Sequence, residues 1–184
     1  YIAVINFNGK PLERMDLTSE EGVKIVSFEY VCKQEGIYFI EVSAPSGLLG
    51  KSNVILCQGS APSFNLYFGD IHGHTRVSDG TGTPEDYYQY AQTVSGLDVA
   101  ALTDHSDYGT IQVEGVVWDQ IKKATNDAYN PLEFVTFLGF EWTNWEYGHR
   151  NVYYRDGDGP IFRSIDKKSD TPQELWDLIS PYEA

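Results

Sequence analysis

The stretch Leu66–Leu102 reads LYFGDIHGHTRVSDGTGTPEDYYQYAQTVSGLDVAAL and carries the pattern that decides the fold. A helix is predicted in its middle, because Thr83 is a good N-cap residue, Pro84 suits the first helical position and Gly96 suits a helix end. The apolar run Leu97–Leu102 that follows is typical of a strand buried on both faces. The stretch therefore predicts a strand, a helix and a second strand in succession.

This alternation continues to the end of the chain. The elements predicted from residue 65 onward are a strand at Leu66–Ile71, the helix after Thr83, a strand at Leu97–Leu102, a helix at Val116–Ala128, strands at Phe134–Phe140 and Asn151–Tyr154, and a last helix that Thr171 and Glu174 open with a capping box. Strands that alternate with helices favour an α/β fold with parallel strands. In such folds, functional residues collect at the carboxyl ends of the strands.

The residues before about position 60 have a different, all-β pattern. The strands predicted there are Tyr1–Phe7, Val23–Val31, Ile37–Val42 and Val54–Cys57, with turn signals between them. Short strands at this spacing favour part of an immunoglobulin-like β-sandwich, which normally needs about seven strands. We therefore divide the chain into a partial sandwich domain at 1–60, a linker at 61–65 and an α/β region at 66–184.

The chain is acidic, with 27 Asp and Glu against 13 Lys and Arg and a formal net charge of −14. A phosphate backbone needs a basic surface, so nucleic acid is disfavoured as a main partner. The sequence contains no run of about 18 apolar residues, so it predicts no membrane-spanning helix. Cys32 and Cys57 both lie in the predicted sandwich, where a disulfide and two buried free thiols fit the sequence equally. These features favour a periplasmic or secreted location, while oligomeric state stays open.

All four histidines of the chain follow predicted strands: His72, His74, His105 and His149. His72 and His74 are two residues apart, so both side chains project to one side of an extended backbone. Two imidazoles that converge in this way are suited to hold a metal ion. One histidine alone is more often structural, but the placement of all four at strand ends predicts a metal site.

Two carboxylates accompany the histidines. Asp79 follows His74 in a Ser-Asp-Gly turn, close enough to fold back as an oxygen ligand. Glu141 ends the third strand of the α/β region, as His105 ends the second. The predicted metal ligands are therefore His72, His74, Asp79, His105, Glu141 and His149.

Three motifs carry a resemblance to a known family. They are Gly69-Asp70-Ile71-His72-Gly73-His74-Thr75 with Ser78-Asp79-Gly80, then Leu102-Thr103-Asp104-His105, then Gly139-Phe140-Glu141-Trp142. In combination they resemble the PHP (polymerase and histidinol phosphatase) superfamily, and more narrowly its DUF3604-like proteins, in which a β-rich region precedes a metal-binding barrel. The resemblance covers about residue 65 to the C-terminus.

The resemblance implies that residues 66–184 are the N-terminal half of a distorted (β/α)7 barrel. It also implies a centre of two or three divalent transition metals, filled by zinc, manganese or iron. In that centre His72 and His74 bind one metal and Glu141 bridges two, while Asp79, His105 and His149 supply further ligands. A (β/α) barrel takes about 250 residues. Because the chain also starts without Met, we expect it to be a fragment of a longer protein that supplies the remaining ligands.

The function implied is a metal-dependent hydrolase, favoured as a phosphoesterase, in which a metal-bridged hydroxide attacks a small phosphorylated substrate. The sequence has no nucleophile-elbow motif and no P-loop, which agrees with a nucleophile activated by metal. Two alternatives stay open. One is a metal-dependent amidohydrolase-type enzyme, and the other is a non-catalytic, metal-stabilised module that binds a partner or a glycan.

Residues beside the ligands have less specific roles. Asp70 and Asp104 could accept an imidazole N–H and orient a ligand, or could be ordinary strand-end residues. Arg76 and Arg150 flank ligands and could clamp a phosphate or carboxylate, or lie on the surface without a substrate role. The aromatic side chains around the third strand, which serve either core packing or the stacking of a sugar or base, are Trp142, Trp145, Tyr147, Tyr153 and Tyr154.

Overall fold

The computed structural model describes residues 2–16 and 29–182 of the chain. The chain forms two compact units, Tyr1–Asn65 and Leu66–Ala184. Within the described residues, no helix is both long enough and apolar enough to cross a membrane.

The first unit is built from short antiparallel strands. Its described strands are β1 Ile2–Phe7, β2 Lys10–Asp16, β3 Gly36–Tyr38, β4 Ile40–Ser43, β5 Leu49–Lys51 and β6 Ile55–Cys57. Four of them form a sheet in the order β2-β1-β4-β5, and β3 pairs with β6. Asn8 and Gly9 join β1 to β2 with φ angles of 47° and 74°, the left-handed pair that a two-residue hairpin turn requires. Phe7 and Tyr38, from different sheets, stack with ring centroids 4.9 Å apart.

The predicted strand Ile37–Val42 is divided between these two sheets. Residues before Phe39 form β3 and pair with β6, whereas residues after it form β4 and pair with β1. The division occurs because Phe39 pairs with the hairpin turn instead. Its N–H donates to Asn8 Oδ1 at 3.0 Å, and its carbonyl accepts the Asn8 N–H at 3.2 Å. The sequence prediction also missed β2 and β5, whose residues lack an apolar alternation.

The immunoglobulin-like topology of this unit stays a prediction. Residues 23–28 of the predicted strand Val23–Val31 lie outside the described residues, and residues 29–31 form no strand. Cys32 and Cys57 are free and partly buried. Burial, and then the neighbouring Cys32 thiol, raise the pKa of Cys57, so this side chain stays a protonated thiol at neutral pH.

The second unit has the mixed α/β composition that the sequence predicts. Its elements are β7 Gly69–Gly73, α1 Pro84–Thr93, β8 Val99–Leu102, β9 Asp107–Tyr108, β10 Ile111–Gln112, α2 Val116–Ala128, β11 Val135–Trp142, β12 Arg150–Tyr154, α3 Pro172–Ile179 and a 3-10 turn at Ser180–Tyr182. A four-stranded sheet has the order β12-β11-β8-β7, and β9 pairs with β10. β8 is parallel to both β7 and β11.

The predicted strand Asn151–Tyr154 forms as β12 but runs antiparallel to β11. A parallel neighbour needs a crossover connection, usually a helix. Only a loop connects Trp142 to Arg150, so the chain turns back directly beside β11. The sheet in the described residues is therefore mixed, and the (β/α)7 barrel stays a prediction.

Two helices begin at the caps that the sequence predicts. Thr83 Oγ1 accepts the Asp86 N–H at 3.1 Å, and the Asp86 carboxylate accepts the Thr83 N–H at 2.8 Å. Thr171 and Glu174 form the same reciprocal pair at the start of α3. α2 begins after Gly115 without a side-chain cap, so packing of its apolar face is its main support.

The core of the second unit includes β8 and the inner faces of α1 and α2. Ala100, Ala101 and Leu102 are fully buried, as the sequence predicts for a strand covered on both faces. Tyr88 of α1 and Ile121 of α2 belong to the same buried cluster. This packing fixes the carboxyl end of β8, after which His105 follows.

The Tyr88 hydroxyl is a polar group that is buried in this core. It accepts the Leu102 N–H at 3.2 Å and bonds Thr125 Oγ1 at 2.9 Å. We expect Tyr88→Phe to lower the free energy of unfolding by about 1–2 kcal/mol, because two buried partners each lose a hydrogen bond. Urea unfolding measures this change. Tyr90→Phe removes an exposed hydroxyl from the same helix, and an equal loss in that control would contradict the explanation.

Candidate metal centre

Four of the six predicted ligands lie at the carboxyl ends of three neighbouring strands, and Asp79 and His149 lie in loops. His72 lies in β7 and His74 follows it, His105 follows β8, and Glu141 lies near the end of β11. The pairing of β8 with β11 continues beyond β8, because His105 forms a parallel bridge with Glu141. The Ser106 N–H donates to the Glu141 carbonyl at 2.8 Å. Parallel pairing thus brings these side chains to one edge of the sheet.

The β7 strand is irregular where its histidines lie. Its register against β8 shifts between Asp70 and Gly73. Asp70 Oδ1 accepts the His72 N–H at 3.0 Å, and the Tyr153 hydroxyl donates to the Ile71 carbonyl at 2.6 Å. Such a bulge redirects side chains, and the two imidazoles of this segment have ring centroids 5.3 Å apart.

Six side chains at this edge form three overlapping groups, and in each group the ligand atoms lie within 4.8 Å of one another. The groups are His72, His74 and Glu141; His74, Asp79 and His105; and His105, Glu141 and His149. The structure therefore brings together every residue that the sequence predicts as a metal ligand. Each group could hold a metal ion.

The Glu141 carboxylate belongs to two of these groups. Its Oε2 is 3.0 Å from His74 Nε2, 3.1 Å from His105 Nδ1 and 3.6 Å from His72 Nε2. Nevertheless, Glu141 Oε2 and His74 Nε2 are buried and make no hydrogen bond within the described residues. Leaving such atoms unpaired costs about 1–3 kcal/mol each. Imidazole nitrogens around a carboxylate oxygen fit a divalent transition metal.

Asp79 and His105 are held in the protonation states that bind metal. The hydrogen bond from His74, whose Nδ1 lies 2.7 Å from Asp79 Oδ1, lowers the pKa of Asp79. Burial lowers the pKa of His105. At neutral pH the Asp79 carboxyl is therefore ionised and the His105 imidazole is neutral, and these are the coordinating forms.

His149 reaches the centre from the loop before β12. Its Nδ1 lies 3.2 Å from the Asn144 carbonyl oxygen and 3.2 Å from the Asn144 backbone nitrogen. Because the backbone engages Nδ1, Nε2 is the nitrogen available to a ligand. The Trp145 ring packs edge-on against His149, with centroids 5.0 Å apart.

Residues 87–184 match the family model described as "Protein of unknown function (DUF3604)". The match covers more than half of the chain. This chain belongs to the DUF3604 family. The matched region contains the last three predicted metal ligands and begins after the first three.

A solved structure from Bacteroides vulgatus is similar to the DUF3604 chain, with a TM-score of 0.44 and 18% sequence identity. It is a two-domain protein containing a predicted PHP-like metal-dependent phosphoesterase. The similarity covers 63% of this chain and 32% of that chain, so the DUF3604 chain spans about a third of its length. No curated protein matches the chain.

Asp104 of the DUF3604 chain fastens the loop that carries Asp79. Its Oδ1 accepts the Thr75 N–H at 2.8 Å and the Ser78 hydroxyl at 2.6 Å, and its Oδ2 accepts the Thr75 hydroxyl at 2.7 Å. Asp104 is only 1% exposed, so water cannot replace these bonds. Asp70 similarly accepts a backbone N–H. These bonds of both carboxylates are made to backbone N–H groups and loop hydroxyls, which favours the strand-end alternative over the imidazole-orienting one.

The same loop makes a tight turn between His74 and Gly80. The Gly80 N–H donates to the Thr75 carbonyl at 2.9 Å. A Cβ atom on Gly80 would lie 2.2 Å from the His74 carbonyl oxygen, which is backbone and cannot move aside cheaply. Glycine is therefore required here, and the turn returns Asp79 to His74 as the Ser-Asp-Gly pattern predicts.

The two arginines beside the ligands make different contacts. Arg150 Nη1 donates to the carbonyls of Gly148 and His149, each at 2.9 Å. Its Nη1 therefore stabilises its own loop, and a substrate-binding role for Arg150 stays a prediction. Arg76 is exposed. The pKa of Asp86 at the start of α1 is lowered mainly by its hydrogen bonds with Thr83, and the positive charge of Arg76 lowers it further. A substrate-binding role for Arg76 stays a prediction.

The aromatic residues near β11 divide between the core and the surface. Trp142 and Tyr154 are at most 1% exposed, which confirms core packing for these two. Tyr153 supports β7 through its hydroxyl. Trp145 and Tyr147 are 78% and 44% exposed, so a stacking role for them stays a prediction.

Three buried hydroxyl residues beside the ligands were missed by the sequence prediction: Thr75, Ser78 and Thr143. Each lies within two residues of a predicted ligand. That adjacency is the one signal that could have identified them, and it is weak because hydroxyl residues are common in loops.

Proposed function

We propose that this chain binds divalent transition metals at its strand ends as part of a PHP-type metal-dependent phosphoesterase. The observation that carries the proposal is the buried pair of Glu141 Oε2 and His74 Nε2, which lie 3.0 Å apart without a hydrogen bond. Divalent transition metals bind an imidazole nitrogen and a carboxylate oxygen at about 2.0–2.2 Å each, so one ion could hold both atoms. An ion at this point would give both atoms a partner.

The nitrogen atoms of the histidines support a division of the ligands. A neutral imidazole offers one lone pair, so a histidine shared by two groups serves one of them. His74 directs Nδ1 to Asp79 at 2.7 Å, which leaves Nε2 for the ion beside Glu141. The proposed ligand sets are His72, His74 and Glu141; Asp79 and His105; and Glu141 and His149. Glu141 would then be a ligand of two ions, since a carboxylate has two oxygens.

The charge of this centre favours an anionic substrate. Its histidines bind metal as neutral imidazoles, so even two divalent ions (+4) with two carboxylates (−2) leave a charge of about +2, and an ion in the third ligand set raises it further. The rest of the chain is acidic, with a net charge of −14 overall. A phosphate group would therefore be attracted to this positive site and repelled by the surrounding surface. When bound, the ions supply activation of water and offset charge on the phosphoryl oxygens. A neutral amide would gain less from this charge, so a phosphoester is favoured over an amidohydrolase substrate.

Metal content and turnover test the proposal. Protein purified without chelator is expected to retain a divalent transition metal, measured by plasma mass spectrometry, and to lose it to EDTA. The protein is assayed with 4-nitrophenyl phosphate after addition of Mn²⁺ or Zn²⁺. His74→Ala should remove metal and turnover together, whereas Tyr90→Phe, an exposed change, should alter neither.

The outcomes separate the alternatives. Bound metal with turnover supports the phosphoesterase. Bound metal without turnover of any phosphoester contradicts the phosphoesterase and supports either the amidohydrolase-type enzyme or the non-catalytic, metal-stabilised module, which turnover of an amide substrate then separates. A protein that takes up no divalent metal under these conditions contradicts the proposal.

A further inference from the structure

Thr143 lies directly beside two of the proposed ligands, in the residues that follow β11. Its side chain is fully buried. Its Oγ1 is 2.9 Å from His105 Nδ1 and donates to the Glu141 carbonyl at 3.0 Å. Its backbone N–H donates to Ser106 Oγ at 3.3 Å, which holds the residue from the other side. The hydroxyl therefore joins one proposed ligand to the backbone of another.

The number of hydrogens decides the direction of these two bonds. A threonine hydroxyl has a single hydrogen, which the bond to the Glu141 carbonyl uses. Thr143 Oγ1 can make both bonds at once only if it donates to the Glu141 carbonyl and accepts from His105. His105 Nδ1 must then carry the imidazole hydrogen. At 5% exposure, His105 has little access to water that could replace either partner. Loss of a bond at such a site would leave a costly unpaired group.

We propose that Thr143 is a positioning residue that holds His105 as the Nδ1–H tautomer and directs the lone pair of Nε2 towards Asp79. The inference rests on the proposed metal-binding function. His105 Nε2 lies 3.7 Å from Asp79 Oδ2, so these two atoms face each other as ligands of one ion. The partner of the non-ligating nitrogen fixes the tautomer of a histidine ligand, and here that partner is a threonine.

The same contact also keeps Glu141 available. His105 Nδ1 lies 3.1 Å from Glu141 Oε2, close enough for a hydrogen bond. Among the described residues Glu141 Oε2 nevertheless makes none, which agrees with an N–H that is directed to Thr143. The hydroxyl therefore preserves two ligand atoms at once, the lone pair of His105 Nε2 and the free Oε2 of Glu141. Without it, the imidazole N–H has the Glu141 carboxylate as its nearest alternative acceptor.

The tautomer is read directly by two-bond ¹H–¹⁵N correlation spectra of the metal-free chain, which contains only four histidines. In the wild type we expect a protonated Nδ1 and an unprotonated Nε2 at His105, and the same spectrum for Thr143→Ser. Thr143→Val, which keeps the shape and removes the hydroxyl, should lose this signature. The matched control is Thr136→Val, since Thr136 is a buried threonine of β11 whose hydroxyl donates to the Thr125 carbonyl instead.

Metal titration by calorimetry gives the second readout. We expect Thr143→Val to bind metal about 10- to 100-fold more weakly, and Thr143→Ser and Thr136→Val to bind within a few-fold of the wild type. A wild-type spectrum with Nε2–H at His105 overturns the inference, as does wild-type affinity in a folded Thr143→Val. Should Thr143→Val fail to fold, the wild-type and Thr143→Ser spectra decide the tautomer. A wild type with the expected tautomer that binds no metal supports the assignment but overturns the proposed function.

Discussion

Glu141→Gln is expected to weaken metal binding by at least about 100-fold, because changes to residues that only support a metal ligand already cost about 10- to 100-fold. Glutamine keeps the shape of the side chain and removes the charge that offsets the ions. Glu141 is also the proposed ligand of two ions, so both positions lose a ligand in a single change. Calorimetric titration with Mn²⁺ or Zn²⁺ measures the loss.

Stability provides an independent check on Glu141→Gln. At a metal concentration 100 times the Kd, binding stabilises the wild type by about 2.7 kcal/mol, whereas a variant with a 100-fold weaker Kd gains about 0.4 kcal/mol. Without metal, the variant should be at least as stable as the wild type, because Glu141 Oε2 has no hydrogen bond to lose. Glu85→Gln, at an exposed position of α1, is the control. Equal metal stabilisation of the wild type and Glu141→Gln would show that this carboxylate holds no ion.

Asp104→Ala is expected to have the largest effect on stability. The substitution removes the acceptor of three hydrogen bonds from Thr75 and Ser78, all of them buried. We expect the free energy of unfolding to fall by about 3–5 kcal/mol, since three buried donors lose a charged partner together. Chemical denaturation of the metal-free chain measures it.

The control for this prediction is Asp119→Ala, which removes an exposed carboxylate from α2 and breaks only a surface ion pair with Lys122. Its expected effect is within about 1 kcal/mol. Asp104→Asn keeps the volume and one carbonyl acceptor, so it should lie between Asp104→Ala and the wild type. If Asp104→Ala proved no more destabilising than Asp119→Ala, the assigned role of Asp104 in holding the Asp79 loop would be wrong.

The ligands could be predicted from the sequence because strand ends are a topological feature. Parallel strands place their carboxyl ends at one edge of a sheet, so residues far apart in the chain, such as His74, His105 and Glu141, must converge once the strands are identified. The starts of two helices could also be predicted from the sequence, because the capping residues Thr83 and Thr171 act through local hydrogen bonds.

Features that depend on packing between segments could not be predicted from the sequence. The reversal of β12 is decided by the loop after Trp142, which could equally have led into a crossover helix. The division of Ile37–Val42 depends on a contact of Phe39 with Asn8, 31 residues away. Similarly, the roles of Asp104 and Arg150 depend on which neighbour each side chain meets, and no periodicity in the sequence encodes that choice.

The measurement that tests the central claim most directly is an anomalous difference map, recorded at the absorption edge of zinc or manganese from crystals grown with that metal. We expect a peak within about 2.0–2.2 Å of both His74 Nε2 and Glu141 Oε2, the two buried atoms without a hydrogen bond, and further density beside Asp79 and His105. A map without a peak between His74 and Glu141, from crystals in which the metal is present in the solution, would contradict the claim that these strand ends form a metal centre.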